Sequence, residues 1–124
     1  MAANFKILLI EDEDIIIDIL YKKLIREGYD VVVARNGREG LEKMQEWLPD
    51  LVLLDMVMPL MSGLDVLKAA NQDPKLRDIP VIIVSNSGQP VELSRAQELG
   101  ARDWLVKTEF NPQEVVDKVK NVLG

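Results

Sequence analysis

Five short apolar runs punctuate the chain: residues 5–10 (FKILLI), 30–34 (DVVVA), 50–55 (DLVLLD), 80–85 (PVIIVS) and 103–107 (DWLVK). They are rich in Val, Ile and Leu and lack the every-other-residue polarity of a half-solvated strand. That pattern predicts strands covered on both faces. The stretches between them follow a helical period. Ile16, Leu20 and Leu24 fall at i, i+4 and i+8, and Gly28 is a natural stop. Asn36 and Glu39 have capping-box spacing ahead of Leu41, Met44 and Leu48. Ser62 precedes a third helix carrying Leu64, Leu67 and Ala70, and Pro90 lies near the start of a fourth that ends at Gly100. Asn111, Pro112 and Glu114 give a last helix its N-cap, a first-turn proline and an acid at the third position, followed by Val115, Val119 and Val122.

Five strands, each followed by a helix, predict a three-layer α/β chain of the form (βα)5. Right-handed crossovers then give a parallel sheet with helices on both faces. The common five-stranded solution, flavodoxin-like, has strand order 2-1-3-4-5 and a switch point between strands 1 and 3. Ligands in such sheets bind beyond the carboxyl ends of the strands, so chemistry is to be sought there.

Composition narrows the chemistry. A length of 124 residues suits one domain, residues 1–124, and 48% hydrophobic residues suffice for its core. The net charge of -6 argues against non-specific binding to nucleic acid or anionic lipid. The chain has no cysteine, hence no disulfide framework and no thiolate metal site. It has no histidine either, which excludes a Ser-His-Asp triad, a histidine-ligated metal and a phosphohistidine within it. There is no signal-peptide stretch and no apolar run of membrane-spanning length, so a cytoplasmic protein is expected.

The predicted strand ends carry Glu11-Asp12, Asp55, Ser85 and Lys107. With strands 1 and 3 adjacent, three carboxylates converge. Uncompensated, they raise one another's pKa and destabilise the fold. A divalent cation resolves this, and oxygen ligands without histidine or cysteine point to Mg²⁺, with Mn²⁺ as a substitute. The Ser85 hydroxyl and Lys107 ammonium beside them would complete a site for a phosphoryl group. Each residue taken alone also has a plainer explanation. Glu13 and Asp14 suit the dipole of the first helix, Asp55 suits a turn, Ser85 a cap or a core hydroxyl, Lys107 the surface, and Trp104 the core. The conjunction at successive strand ends favours the site.

The segments KILLIEDE, DLVLLDMVMPLMSGLDVL, IPVIIVSNS and GARDWLVK, in this order, resemble the receiver domains of two-component response regulators, the CheY-like family. The most specific piece is D-x-x-M-P-x-x-x-G, made by Asp55, Met58, Pro59 and Gly63. The resemblance implies a switch in which Asp55 accepts a phosphoryl group from a phosphohistidine on a sensor histidine kinase or histidine phosphotransfer protein. It implies that Asp12 ligates Mg²⁺ directly, that Glu11 acts through water, and that Val57 supplies a backbone carbonyl. Ser85 matches the switch hydroxyl, and Lys107 the lysine that pairs with the phosphoryl group. Trp104 matches the aromatic position reporting to the face made by helix 4, strand 5 and helix 5. The expected output is altered binding to an unidentified protein, by a monomer or a weak phosphorylation-dependent dimer, with no output domain, no direct nucleic-acid contact and no membrane contact. The chain would be no enzyme beyond promoting its own phosphorylation and slow dephosphorylation.

Three positions depart from the family pattern. Glu11 stands where Asp is commoner. Thr108 follows Lys107 where proline is usual, and a cis bond before a non-proline residue costs about 2.5–4 kcal/mol. A trans Lys107–Thr108 peptide is therefore expected. Val57 and Ser87 flank the site without the amide or acid that would orient a hydrolytic water, so a long-lived phosphoryl state is expected. Two other classes compete. A receiver-like binding module that is never phosphorylated would lack the nucleophile, a metal acid or the lysine, and none is missing. A phosphohydrolase would want a second acid two residues after Asp55, where Val57 stands.

Overall fold

The structure, a computed structural model, describes residues 4–86, 90–107 and 111–124. Its elements are β1 (Lys6–Ile10), α1 (Asp14–Arg26), β2 (Asp30–Ala34), α2 (Gly37–Trp47), β3 (Leu51–Asp55), α3 (Gly63–Gln72), β4 (Val81–Ser85), α4 (Pro90–Glu98), β5 (Ala101–Val106) and α5 (Pro112–Leu123). The strands form one parallel sheet in the order β2-β1-β3-β4-β5, as the sequence predicts.

The central strands β1, β3 and β4 are apolar almost throughout because each has two interiors to fill. In β1, Leu8 and Ile10 enter the core shared with α2, α3 and α4, while Ile7 and Leu9 enter the core shared with α1 and α5. Val52 and Leu54 of β3 repeat the first pattern, Leu51 and Leu53 the second. Leu20 and Leu24 of α1 and Val115, Val116 and Val119 of α5 close one side. Met44, Val66, Leu67 and Ala96 close the other. Each fully buried Leu or Ile contributes about 1.5–3 kcal/mol of transfer free energy. No helix among the described residues is long and apolar enough to cross a membrane.

The helix ends follow the predicted caps. The side chains of Asn36, Ser62 and Asn111 accept from the backbone N–H of Glu39, Asp65 and Glu114. Glu39 reaches back to the N–H of Arg35 at 3.3 Å, one residue earlier than a standard capping box. Two expectations are corrected. Leu48 is no part of the α2 stripe: it is the exposed C-cap, in left-handed conformation at φ 50°. β5 begins at Ala101, two residues before the predicted start at 103, and ends at Val106 rather than Lys107.

The early start of β5 matters because of a register shift. Val81 pairs with Ala101 but Ile82 pairs with Asp103, so Arg102 is an extra residue, a bulge. Side-chain direction alternates along a strand, and the bulge turns everything after it over. Trp104 thereby pairs with Ile83 and packs on the α4 side, whereas Asp103 meets Lys118 of α5 at 3.0 Å.

Gly63 sets how closely α3 approaches β3. Its N–H donates to the carbonyl of Met56 at 3.0 Å. A Cβ there would collide with the carbonyl oxygen of Asp55 and lie 2.8 Å from Met56 Cα. Both neighbours are backbone and cannot swing aside. Gly63→Ala should therefore destabilise the domain by about 1–3 kcal/mol, as overpacking does, read as a lower urea midpoint. An unchanged midpoint would show that α3 can retreat.

Candidate functional site

The backbone ladders extend one step past the strands and so fix where the polar residues begin. Glu11 N–H donates to Ala34 O at 2.9 Å, prolonging the β1–β2 ladder, and Lys107 N–H donates to Ser85 O at 2.6 Å, prolonging β4–β5. Asp55 and Ser85 are themselves the last residues of β3 and β4. Among the described residues, the buried polar ones are Glu11, Asp55 and Ser85, and Glu11 and Asp55 are 1% and 4% exposed.

The Lys107 side chain is also only 3% exposed, so it is not a surface lysine. Its Nζ lies 2.7 Å from Glu11 Oε1 and 3.1 Å from Asp55 Oδ2, and it donates a short hydrogen bond to Glu13 Oε2. The other Glu11 oxygen, Oε2, accepts from the N–H groups of Asp12 and Glu13, both at 3.0 Å. Glu11 Oε1 faces the ammonium as an ion pair. Asp55 Oδ1 accepts weakly from Val57 N–H, at 3.4 Å.

Sequence reasoning thus finds Glu11, Asp12, Asp55 and Lys107, which the fold brings together, and Ser85, which is buried beside the start of Lys107. Val57 is exposed on the loop after Asp55. Trp104 stands apart, half-buried against the α4 side of the sheet. Glu13 and Asp14, read from the sequence as dipole acids alone, both hold cations: Glu13 meets Lys107, and Asp14 meets Arg35 at 2.6 Å. One signal could have found Glu13, because glutamate is a poor N-cap residue and Glu13 occupies that position. The Lys107–Thr108 peptide and Ser87 lie outside the described residues.

Residues 7–120 match the response regulator receiver domain family. The chain belongs to that family. It is 36% identical over 120 residues to the alkaline phosphatase synthesis transcriptional regulatory protein PhoP of Bacillus subtilis, covering 97% of this chain and 49% of that protein. It is 36% identical over 118 residues to the transcriptional regulatory protein CpxR of Escherichia coli, covering 95% and 49% respectively. The chain therefore spans about half the length of the curated relatives it matches. Among solved structures, the chemotaxis protein CheY4 of Vibrio cholerae superposes with a TM-score of 0.91 at 30% identity, over 98% of this chain and 100% of that one. The receiver domain of a signal transduction histidine kinase from Syntrophus aciditrophicus gives 0.86 at 32% identity, over 96% and 89%.

The receiver domain is short of positive charge at this edge. Burial pushes the Glu11 carboxyl up to about 7, more than the Lys107 contact and the Glu13 N–H pull it down, and the Asp55 charge adds to the rise. Burial alone would lower the pKa of Lys107, but the contacts with Glu11 and Glu13 and the field of Asp55 outweigh it and hold it above the ordinary lysine value. One oxygen from each of Glu11, Asp12 and Asp55 falls within 4.8 Å of the others. An all-oxygen donor set drawn from three carboxylates fits a hard divalent cation such as Mg²⁺ or Mn²⁺.

The Glu11 shift has a sign that stability measurements can read. In the metal-free fold its pKa lies above the unfolded value of 4.5, at about 7. Between these values the native state holds a proton that the unfolded chain has lost. This group's contribution is then full below the unfolded value and is lost as pH rises through the folded one. In a metal chelator, wild type should lose more stability than Glu11→Gln across that window, measured by urea denaturation. Parallel curves would contradict the assignment.

Proposed function

We propose that this receiver domain is a phosphorylation-dependent switch whose phosphoacceptor is Asp55. The observation that carries the reading is the placement of a buried carboxylate at the end of β3, with Oδ2 on the Lys107 ammonium and two further carboxylates within metal-sharing distance. The donor is a phosphohistidine on a sensor kinase or phosphotransfer protein, because this chain has no histidine. An Asp55 oxygen attacks phosphorus. The P–O bond forms as the P–N bond breaks, and the imidazole leaves with the electron pair.

Asp12 and Asp55, with the Val57 carbonyl and Glu11 through water, would hold Mg²⁺ or Mn²⁺, which when bound neutralises phosphoryl oxygens. The chain's own residues do the rest. Lys107 is held against Asp55 by buried partners, so its donors are positioned before the phosphoryl group arrives. Ser85 donates its hydroxyl to a phosphoryl oxygen. Its backbone is already joined to that of Lys107. The shift passes along β5 to Trp104, which lines a cavity of about 190 Å³ with Ala96 and Gln97 of α4. A changed fit there alters binding to another protein. The domain promotes its own phosphorylation and dephosphorylation and acts in the cytoplasm.

The second tryptophan would confuse a fluorescence test. Trp47 sits at the far end of the sheet under Lys6, whose Nζ lies 5.4 Å from its ring centroid. In a Trp47→Phe background, titration with Mg²⁺ and then acetyl phosphate should change Trp104 emission, with intact mass rising by one phosphoryl group. Both donor-dependent changes should vanish in Asp55→Asn. Mg²⁺ binding with no Asp55-dependent mass change would leave a receiver-like binding module instead.

Phosphoryl lifetime gives a separate test. The exposed Val57 side chain offers a hydrolytic water no hydrogen bond. Val57→Asn should shorten the lifetime several-fold, followed by mass after donor removal. An unchanged lifetime would locate the control of hydrolysis elsewhere.

A further inference from the structure

The Lys107 ammonium has three carboxylate neighbours, Glu11, Glu13 and Asp55, and it donates a hydrogen bond to Glu13. An incoming phosphoryl oxygen that is to use this ammonium must displace one of them before Asp55 has reacted. The three are not equivalent. The Glu11 and Asp55 side chains are almost fully buried, 1% and 4% exposed. Glu13 is 51% exposed and can release its carboxylate into solvent.

A second observation singles out Glu13. It is the N-cap residue of α1, yet its side chain makes no cap hydrogen bond. The N-cap residues of α2, α3 and α5 all make one. A good cap is worth about 1 kcal/mol, so α1 forgoes a local bond for a partner 94 residues away. Aspartate at this position would cap the helix but is one methylene shorter. The longer side chain makes the reach to Lys107.

Taking Asp55 as the phosphoacceptor, we propose that Glu13 is a positioning residue that holds the Lys107 ammonium by a hydrogen bond until a phosphoryl oxygen displaces it. Once displaced, its negative charge remains beside the phosphoryl group and opposes the phosphorylated state. Glu13 thus sets how readily the switch turns on.

The test compares Glu13→Gln, which removes the charge, with Glu13→Asp, which keeps the charge and loses the reach. The probe is beryllofluoride, a phosphoryl mimic, added with Mg²⁺ in the Trp47→Phe background. A second readout is the ¹⁵N NMR signal of the Lys107 ammonium in metal-free protein. Both variants should bind beryllofluoride several-fold more tightly than wild type and shift the Lys107 signal. Glu13→Asp should do so without loss of thermal stability, because aspartate caps α1. If Glu13→Asp binds like wild type and only Glu13→Gln tightens, net charge and not the contact is responsible, and the proposal fails. It fails equally if both variants bind unchanged or more weakly. If wild type itself gives no response to beryllofluoride, the reading of Asp55 fails and this proposal with it. A wild-type response that the variants leave unaltered removes only the role of Glu13.

Discussion

One buried ammonium faces more negative charge than it can balance. Lys107 meets Glu11, Glu13 and Asp55, and Asp12 stands close to two of these. Taking ions out of water costs several kcal/mol each, and mutual attraction repays this only with good geometry. Here the repayment is incomplete: Glu11 rises toward neutrality although Lys107 lies 2.7 Å away. An apolar cluster at this edge would serve the fold better. The charge imbalance is one that a divalent cation could offset, and in the proposed switch an anion would follow it.

The rest of the architecture makes that imbalance tolerable. The central strands are apolar on both faces, so two cores hold the sheet rigid up to the residue where the charges begin. The order β2-β1-β3-β4-β5 makes β1 and β3 neighbours, which is why Glu11 and Asp55 meet although 44 positions separate them in the sequence. Lys107 comes from beyond β5 and must reach across β4, whose last residue is the small Ser85. Gly63 lets the start of α3 lie against the Asp55 backbone, so the loop carrying Val57 is held at both ends.

What the sequence revealed and what it hid divide along physical lines. Strand positions and order were legible because full burial on both faces leaves an unbroken Val, Ile and Leu signal. Glu11, Asp12 and Asp55 were legible because topology alone brings those strand ends together. The burial of Lys107 was not, since lysine is among the residues most often exposed and only its three carboxylate neighbours explain it. Glu13 was assigned to the helix dipole because nothing local points to a partner so distant in sequence. Arg102 was missed because DWLVK already read as a strand, and a bulge leaves no periodic trace in so short a run. Yet that bulge decides which side of the sheet Trp104 faces.

The bulge also bears on how a change at Asp55 could be felt elsewhere. Beyond it, β5 carries three consecutive attachments of different kinds. Asp103 holds Lys118 of α5 and accepts from the Trp104 N–H. Trp104 lies against the α4 side, and Leu105 fills the α1 and α5 core. Two residues after Leu105 comes Lys107, tied by backbone to Ser85 and by charge to Asp55. A close-packed interior does not absorb small displacements gradually. Movement of Lys107 and Ser85 toward a phosphoryl group would therefore act on β5 as a unit. Trp104 borders a cavity, whereas Leu105 is enclosed. A switch of the proposed kind would therefore be read at Trp104, where β5 borders that cavity, more than at Leu105, whose surroundings are filled.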